Sequence, residues 1–205
     1  MRSCVLRLYF LNSRIYGILE FLSFWIVKMD KNILFLCAGN GEVWDFAKSI
    51  GVGLVSSAMN LTKILARNSS FEKVIFVGTC GLYKKGEIFD IIKSKAAVNI
   101  EISELLGLSY SPLNCDVPHE TKINSSNFIT TDKSVASKFY ERGLVAENME
   151  FFSVYKVAKS FGIPVFGVFC ATNFCDENAH NDFIKNHKKA MDILENYINE
   201  NYIRF

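Results

Sequence analysis

One carboxylate, Glu150, stands at the start of an apolar segment, directly after Asn148-Met149. An exposed acid in the first turn of a helix stabilises that helix by less than about 1 kcal/mol. A carboxylate that is held in a fixed place can also accept hydrogen bonds and stabilise positive charge that grows during a reaction. The position therefore allows a structural or a catalytic role.

A second group of polar atoms follows the clearest predicted strand, residues 74–77, in the segment Gly78-Thr79-Cys80-Gly81. Open α/β sheets bind ligands at the carboxyl ends of their strands. Backbone N–H groups in such a turn can hold an anion or a sugar hydroxyl. The segment predicts either an ordinary turn or one wall of a binding site.

Three further candidates stand near predicted strand ends or in a predicted loop. Thr172-Asn173 follows the strand at residues 165–170, Glu42 follows the strand at residues 33–38, and His119 lies in a predicted loop region at residues 105–127. An asparagine amide donates and accepts hydrogen bonds but has no transferable proton. As structure alone, Asn173 is a turn residue and Glu42 is a solvated turn carboxylate.

The order of these segments resembles the purine nucleoside phosphorylase and nucleosidase family. The most specific part is Met149-Glu150 followed by Tyr155-x-Val157-Ala158-x-x-Phe161-Gly162, which is similar to bacterial purine nucleoside phosphorylases. The resemblance implies that Met149 and Glu150 contact the ribose.

The same resemblance implies roles for the other candidates. It assigns Gly78, Thr79, Cys80 and Gly81 to phosphate or ribose, and the pair Thr172 and Asn173 to the purine. Glu42 resembles the glutamate with which nucleosidases activate water, and His119 is expected near the 5′ end of the nucleoside. Family members assemble as dimers or as rings built from dimers, so a homo-oligomer is expected.

These roles predict a purine nucleoside phosphorylase, a glycosyltransferase that uses inorganic phosphate as co-substrate and no cofactor. Asn173 stands where bacterial members of the resembled family have an aspartate. This resemblance implies that 6-oxopurine nucleosides such as inosine or guanosine are favoured. The chain carries Phe76 where bacterial phosphorylases have a phosphate-binding arginine. A phosphate dianion loses its best bidentate partner there. Two alternatives stay open: a hydrolytic nucleosidase with Glu42 as base, and a nucleoside-binding pseudoenzyme.

The elements that must position these residues alternate between strands and helices, which predicts an α/β fold. Predicted strands are residues 33–38, 46–52, 74–77, 90–92, 96–102, 128–131 and 165–170, and predicted helices are 54–66, 149–161 and 181–202. The resemblance implies a three-layer sandwich with a central mixed sheet, somewhat shortened. Residues 29–205 are expected to form a single domain.

Composition narrows the class of protein. Of 205 residues, half are hydrophobic and the formal net charge is +2, with scattered basic residues, so no nucleic-acid partner is expected. The cysteines lack a short-spaced disulfide pattern, which favours reduced thiols in the cytoplasm. Cys170, Cys175, His180 and His187 lie five, five and seven residues apart, and no metal is expected because this matches no compact zinc pattern.

Residues 1–28 require a separate interpretation. The apolar run at residues 15–27 contains Glu20. It falls short of the roughly 20 apolar residues that span a bilayer. The preferred interpretation is a start codon assigned too early, with Met29 as the initiator, and no membrane association. A membrane-bound or partner-binding helix is the alternative.

Overall fold

The computed structural model describes residues 32–68, 70–112, 117 and 119–203. The predicted N-terminal extension at residues 1–28 lies outside them. The described strands are β1 (Ile33–Cys37), β2 (Lys48–Ser49), β3 (Lys73–Leu82), β4 (Ile91–Ser94), β5 (Ala96–Val98), β6 (Thr121–Ser125), β7 (Ala146–Asn148) and β8 (Val165–Phe174). The described helices are α1 (Leu54–Arg67), α2 (Ile102–Leu105), α3 (Lys133–Glu141), α4 (Phe151–Ser160) and α5 (Ala179–Ile198), and a π-helical turn, Asn199–Ile203, follows α5.

The eight strands form one mixed sheet around β3. Strand β3 runs parallel to β1 on one side and to β8 on the other, and β4 pairs antiparallel with β8. The carboxyl end of β3 also pairs antiparallel with β7, which continues through the parallel strands β6 and β5. The parallel strands β1, β3 and β8 therefore end at the same side of the sheet.

Helices cover both faces of this sheet, because alternate residues of β3 point to opposite sides. Val74 and Phe76 join the core beneath α1 and α4, whereas Ile75 and Val77 join the core beneath α5. In α5 the residues Ala190, Leu194 and Ile198, spaced four apart, are fully buried. The predicted three-layer α/β sandwich with a mixed central sheet is confirmed.

Several element boundaries differ from the predictions. Strand β3 continues through Gly78 and Gly81, where a turn was expected, because the missing side chains let neighbouring groups approach the strand closely. The strand predicted at residues 46–52 contracts to Lys48–Ser49, and residues 128–131 form no strand. Of the described helices, none is long and apolar enough to cross a membrane.

Candidate active site

A cavity of about 260 Å³ lies where β1, β3, β7 and β8 end. This volume is close to the lower end of the roughly 300–1,000 Å³ typical of small-molecule sites. The cavity is lined by Ala38, Gly39, Asn40, Glu42, Val52, Thr79, Cys80, Gly81, Phe128, Ile129, Glu147, Asn148, Met149, Glu150, Thr172, Asn173, Ala179, His180 and Phe183. Eight of the ten candidate residues from the sequence are among them; Gly78 lies behind the wall, and His119 lies elsewhere.

Glu150 immediately precedes α4 and is 3% exposed. Its Oε1 accepts a hydrogen bond of 2.9 Å from the backbone N–H of Gly53, and its Oε2 accepts one of 2.9 Å from the side-chain amide of Asn148. A carboxylate offers about four lone-pair sites. The two that remain can accept hydrogen bonds from a ligand in the cavity.

Glu42 is buried against β3 rather than solvated in a turn. Its Oε1 accepts hydrogen bonds from both the backbone N–H of Thr79, at 2.9 Å, and the Thr79 hydroxyl. Among the described residues no donor reaches Oε2. A Cβ at Gly78 would lie 2.9 Å from that oxygen, so the glycine makes room for the carboxylate rather than offering an anion nest.

Neutral polar groups line the part of the cavity where β8 ends. The Thr172 hydroxyl lies 2.9 Å from Oδ1 of Asn173, and the Asn173 amide donates to the carbonyl oxygen of Phe174 at 2.9 Å. Gly81 on β3 faces this amide, because a Cβ there would lie 2.9 Å from Nδ2 of Asn173. The second hydrogen of that amide is free to meet a ligand.

Sequence reasoning assigned no role to two polar residues of β7. Glu147 lines the cavity, and its two oxygens accept hydrogen bonds of 2.7 Å from the backbone N–H and the hydroxyl of Thr130. Asn148 bonds Glu150 and the first N–H groups of the helix. An asparagine just ahead of an apolar helix is typical of a side chain that accepts hydrogen bonds from N–H groups at the start of that helix. This pattern could have marked Asn148 in the sequence.

The structure does not bring His119 to this cavity. His119 precedes β6, and β6 runs parallel to β7, so its start lies at the opposite end of the sheet from Asn148. There it lines a second cavity with Lys93, Lys95, Lys122 and others. The direction of β6 was not predicted, since that strand fell inside the expected loop.

Burial controls the protonation of the acids in the site. Burial raises the pKa of Glu150 to about 7; the N–H of Gly53 lowers it, and the neighbouring Glu42 raises it further. Burial likewise raises the pKa of Glu42, and the two bonds from Thr79 oppose this rise. Burial also raises the pKa of Glu147. The site therefore resists holding several negative charges at once.

That charge distribution is unfavourable for phosphate. Three glutamates and no lysine or arginine are among the described lining residues. Phe76, at the position expected to hold a phosphate-binding arginine, is fully buried and packs against the rings of Phe151 and Phe169, with centroids 6.1 and 5.9 Å away. Within the described chain, no cluster of acidic, histidine and cysteine side chains could hold a metal ion.

No protein-family model matches the chain, and no curated protein matches it in sequence. Solved structures do match. A mutant 5′-methylthioadenosine/S-adenosylhomocysteine nucleosidase of Helicobacter pylori, with 5′-methylthioadenosine in its active site, superposes with a TM-score of 0.69 at 18% identity, over 84% of this chain and 98% of the other. The chain has the nucleoside phosphorylase/nucleosidase fold.

Two other nucleosidase-type structures give the same result. A futalosine hydrolase mutant of Helicobacter pylori matches with a TM-score of 0.68 at 17% identity, over 82% of this chain and 97% of the other. A nucleosidase of Streptococcus pneumoniae in complex with 8-aminoadenine matches with a TM-score of 0.63 at 14% identity, over 80% and 96%. The resemblance stated from the sequence is confirmed at the level of this fold.

The expectation of a phosphate-dependent glycosyltransferase is wrong. The solved structures named above are nucleosidases and a hydrolase rather than phosphorylases. The cavity gives the physical reason, because its acidic wall repels a phosphate dianion and its described lining offers no arginine to hold one. The roles expected for individual site residues stay predictions.

Proposed function

We propose that this protein hydrolyses the N-ribosidic bond of a purine nucleoside, with water as the acceptor of the sugar. The observation that carries this proposal is the pair of buried carboxylates, Glu42 and Glu150, which line one cavity and are held by separate donors. The matched nucleosidases, which share the fold, support the same class of reaction.

In this proposal Glu150 binds the ribose. Its two remaining lone-pair sites match two neighbouring hydroxyls of the sugar, while Met149 packs beside the ring. Cleavage of the bond gives the sugar oxocarbenium character. A fixed carboxylate beside the ring therefore stabilises the transition state more than the substrate.

Glu42 is the proposed general base. A water held at its Oε2 gives a proton to the carboxylate while the water oxygen bonds to the anomeric carbon of the sugar. The bond from that carbon to the purine nitrogen breaks, and its electron pair leaves with the base. Thr79 keeps the carboxylate in place through two hydrogen bonds to Oε1. A general base of this kind contributes roughly 10²–10⁴-fold to the rate.

The departing purine meets an amide rather than an acid. The free hydrogen on Nδ2 of Asn173 can bond a ring nitrogen of the purine, and its Oδ1 retains one lone pair for a donor such as the N–H of a 6-oxopurine. We therefore propose a preference for 6-oxopurine nucleosides. The leaving base takes its proton from solvent.

The same amide favours a second candidate function, a nucleoside-binding protein without turnover. Asn173 cannot transfer a proton, and part of its hydrogen-bonding capacity is used by Thr172 and by the carbonyl oxygen of Phe174. A protein that binds nucleosides needs the acceptors of Glu150 but no general base. Turnover separates the two functions.

The test incubates the purified full-length protein with inosine, guanosine, adenosine and 5′-methylthioadenosine, each with and without phosphate. We expect release of the free base and free ribose without phosphate, at a rate that phosphate does not increase. Formation of ribose 1-phosphate would contradict the proposal. Nucleoside binding without release of base would support the binding protein instead.

The variant Glu42→Gln tests the role of Glu42 as general base separately from nucleoside binding. This variant keeps a side chain that can accept from Thr79 but cannot take a proton from water. We expect kcat to fall by roughly 10²–10⁴-fold with nucleoside affinity nearly unchanged. A Glu42→Gln protein that turns over at the wild-type rate would exclude Glu42 as the base.

The proposal extends to the assembly and the location of the protein. Exposed apolar side chains stand at the mouth of the cavity on Val52, Phe128 and Ile129, and on α1 at Val55 and Met59. We propose that a second copy of the chain covers them, as in the dimers of the family, and that the protein acts in the cytoplasm. Light scattering after gel filtration tests the dimer, and cell fractionation tests the location.

A further inference from the structure

Asn148 is buried at the carboxyl end of β7, and its side chain uses all of its hydrogen-bonding positions. Its Oδ1 accepts from the backbone N–H groups of Glu150 and Phe151, each at 2.8 Å. Its Nδ2 donates to Oε2 of Glu150 at 2.9 Å and lies 3.5 Å from the carbonyl oxygen of Thr79. Only an amide provides donors and acceptors in this arrangement.

Through these contacts one side chain joins the two acids of the site. Thr79, which Asn148 meets through its carbonyl, donates its own N–H and hydroxyl to Glu42. The hydrogen bonds therefore form a chain from Glu42 through Thr79 and Asn148 to Glu150. This series of hydrogen bonds links β3 to β7. A substitution of Asn148 is therefore expected to change how the carboxylates of Glu42 and Glu150 are placed relative to each other.

We infer that Asn148 is a positioning residue whose amide fixes the orientation of the Glu150 carboxylate in the cavity. The Gly53 N–H holds one oxygen of Glu150 and Asn148 holds the other, so the plane of the carboxylate is set by two donors. The catalytic consequence rests on the proposed function, whereas the contact with Glu150 can be measured in the ligand-free protein.

The charges around Glu150 determine what a substitution at Asn148 does. Glu42, from the turn after β1, raises the pKa of Glu150, while the N–H of Gly53 and the amide of Asn148 lower it. The other titratable groups of the described lining are Glu147 on β7, Cys80 on β3 and His180 on α5. An aspartate at position 148 would remove a donor and place another negative charge beside Glu150.

The decisive variant is Asn148→Asp, which keeps the size of the side chain and the acceptor for the two N–H groups at the start of α4. Its matched control is Asn127→Asp, because Asn127 also caps a helix, accepting from the N–H of Leu54 at 2.9 Å, but is exposed and does not contact Glu150. Asn148→Ser provides a second test, since it removes the amide group that reaches Glu150 and adds no charge.

The measurement is the titration of ¹³C-labelled glutamate carboxyls by NMR in the ligand-free protein, with the Glu150 signal assigned by its loss in Glu150→Gln. We expect Asn148→Asp to move the titration midpoint of Glu150 upward by about one pH unit, and Asn148→Ser to move it upward by less. Asn127→Asp adds a solvent-exposed charge and removes no donor from Glu150, so it should move the midpoint far less than Asn148→Asp. A midpoint that stays at the wild-type value in the Asn148 variants would overturn the inference.

Catalysis supplies an independent measurement. If the wild-type protein hydrolyses nucleosides, Asn148→Asp should lose most of its discrimination between adenosine and 2′-deoxyadenosine, because Glu150 no longer holds the sugar hydroxyls in place. A merely structural residue would lower the melting temperature and leave that ratio unchanged, which would contradict the inference. If the wild-type protein cleaves no nucleoside, the proposed function fails, and the NMR titration still decides the role of Asn148.

Discussion

The two sides of the cavity that the proposed function assigns to the sugar and to the purine base differ in their chemistry. On the sugar side, Glu42 and Glu150 are buried carboxylates, each held by two donors. On the base side, Thr172 and Asn173 are neutral and bond each other and the carbonyl oxygens of neighbouring strand residues. In the proposed reaction, this difference predicts that charge stabilisation of the sugar, rather than proton donation to the purine, provides most of the catalysis.

After Glu42→Gln, the largest expected effect comes from removing the charge of the carboxylate that is proposed to bind the sugar. Glu150→Gln should lower kcat/KM by roughly 10²–10³-fold, since it replaces one acceptor of the carboxylate by a donor where positive charge grows. Glu147→Gln is the control, because Glu147 is a buried acid of the same cavity that is held by Thr130 and has no proposed contact with the sugar. Steady-state kinetics with inosine and adenosine make the comparison. If kcat/KM fell equally in Glu150→Gln and Glu147→Gln, the specific role proposed for Glu150 would be contradicted.

The same carboxylate should make folding stability depend on pH. Burial raises the pKa of Glu150 from 4.5 to about 7, so between these values the folded protein keeps a proton that the unfolded chain releases. Stability is therefore full below about pH 4.5 and falls by about 3 kcal/mol as the pH rises to 7. Urea denaturation of the wild type and Glu150→Gln across this range isolates the contribution, since the other acids are common to both. If the free energy of unfolding had the same pH dependence in the wild type and in Glu150→Gln, this prediction would be contradicted.

Part of this site could be predicted from the sequence. The spacing of Met149 and Glu150 ahead of an apolar helix, and of Asn173 after a strand, is local information, and all three residues line the cavity. The bond between Glu42 and Thr79 joins residues 37 positions apart, and it depends on Gly78 lying within the strand. Such a contact follows from packing rather than from any local pattern.

The fold shows the same limit. The alternation of strands and helices predicted the layered α/β architecture. It could be recognised because apolar residues recur along each long strand or helix with the spacing typical of that element. The short strands β6 and β7 have too few residues to show such a spacing, so the predicted loop concealed β6. That omission also misplaced His119, because its position relative to the cavity depends on the direction in which β6 runs.

A smaller effect is expected on the base side. Asn173→Asp supplies a carboxyl group that can give a proton to the leaving purine, and burial among other acids favours its protonated form. We expect kcat to rise about tenfold, less than the roughly 10²–10⁴-fold of an optimised acid, because the variant also loses the bond from Nδ2 to Phe174. The measurement is kcat for adenosine between pH 5 and 8. A slower Asn173→Asp enzyme would show that the amide itself is required.

The smallest expected effect comes from His187 on α5, behind the wall of the sugar side. A Cβ at Gly41 would lie 3.6 Å from Cε1 of His187, and the electrostatic influence of this histidine lowers the pKa of Glu42. His187→Leu should therefore move the rising limb of kcat/KM to higher pH by a few tenths of a pH unit. His119→Leu is the matched control at the other end of the sheet and should leave the profile unchanged. A shift in His187→Leu alone would assign the rising limb to the buried carboxylates near this histidine, Glu42 and its neighbour Glu150, rather than to a group at the other end of the sheet.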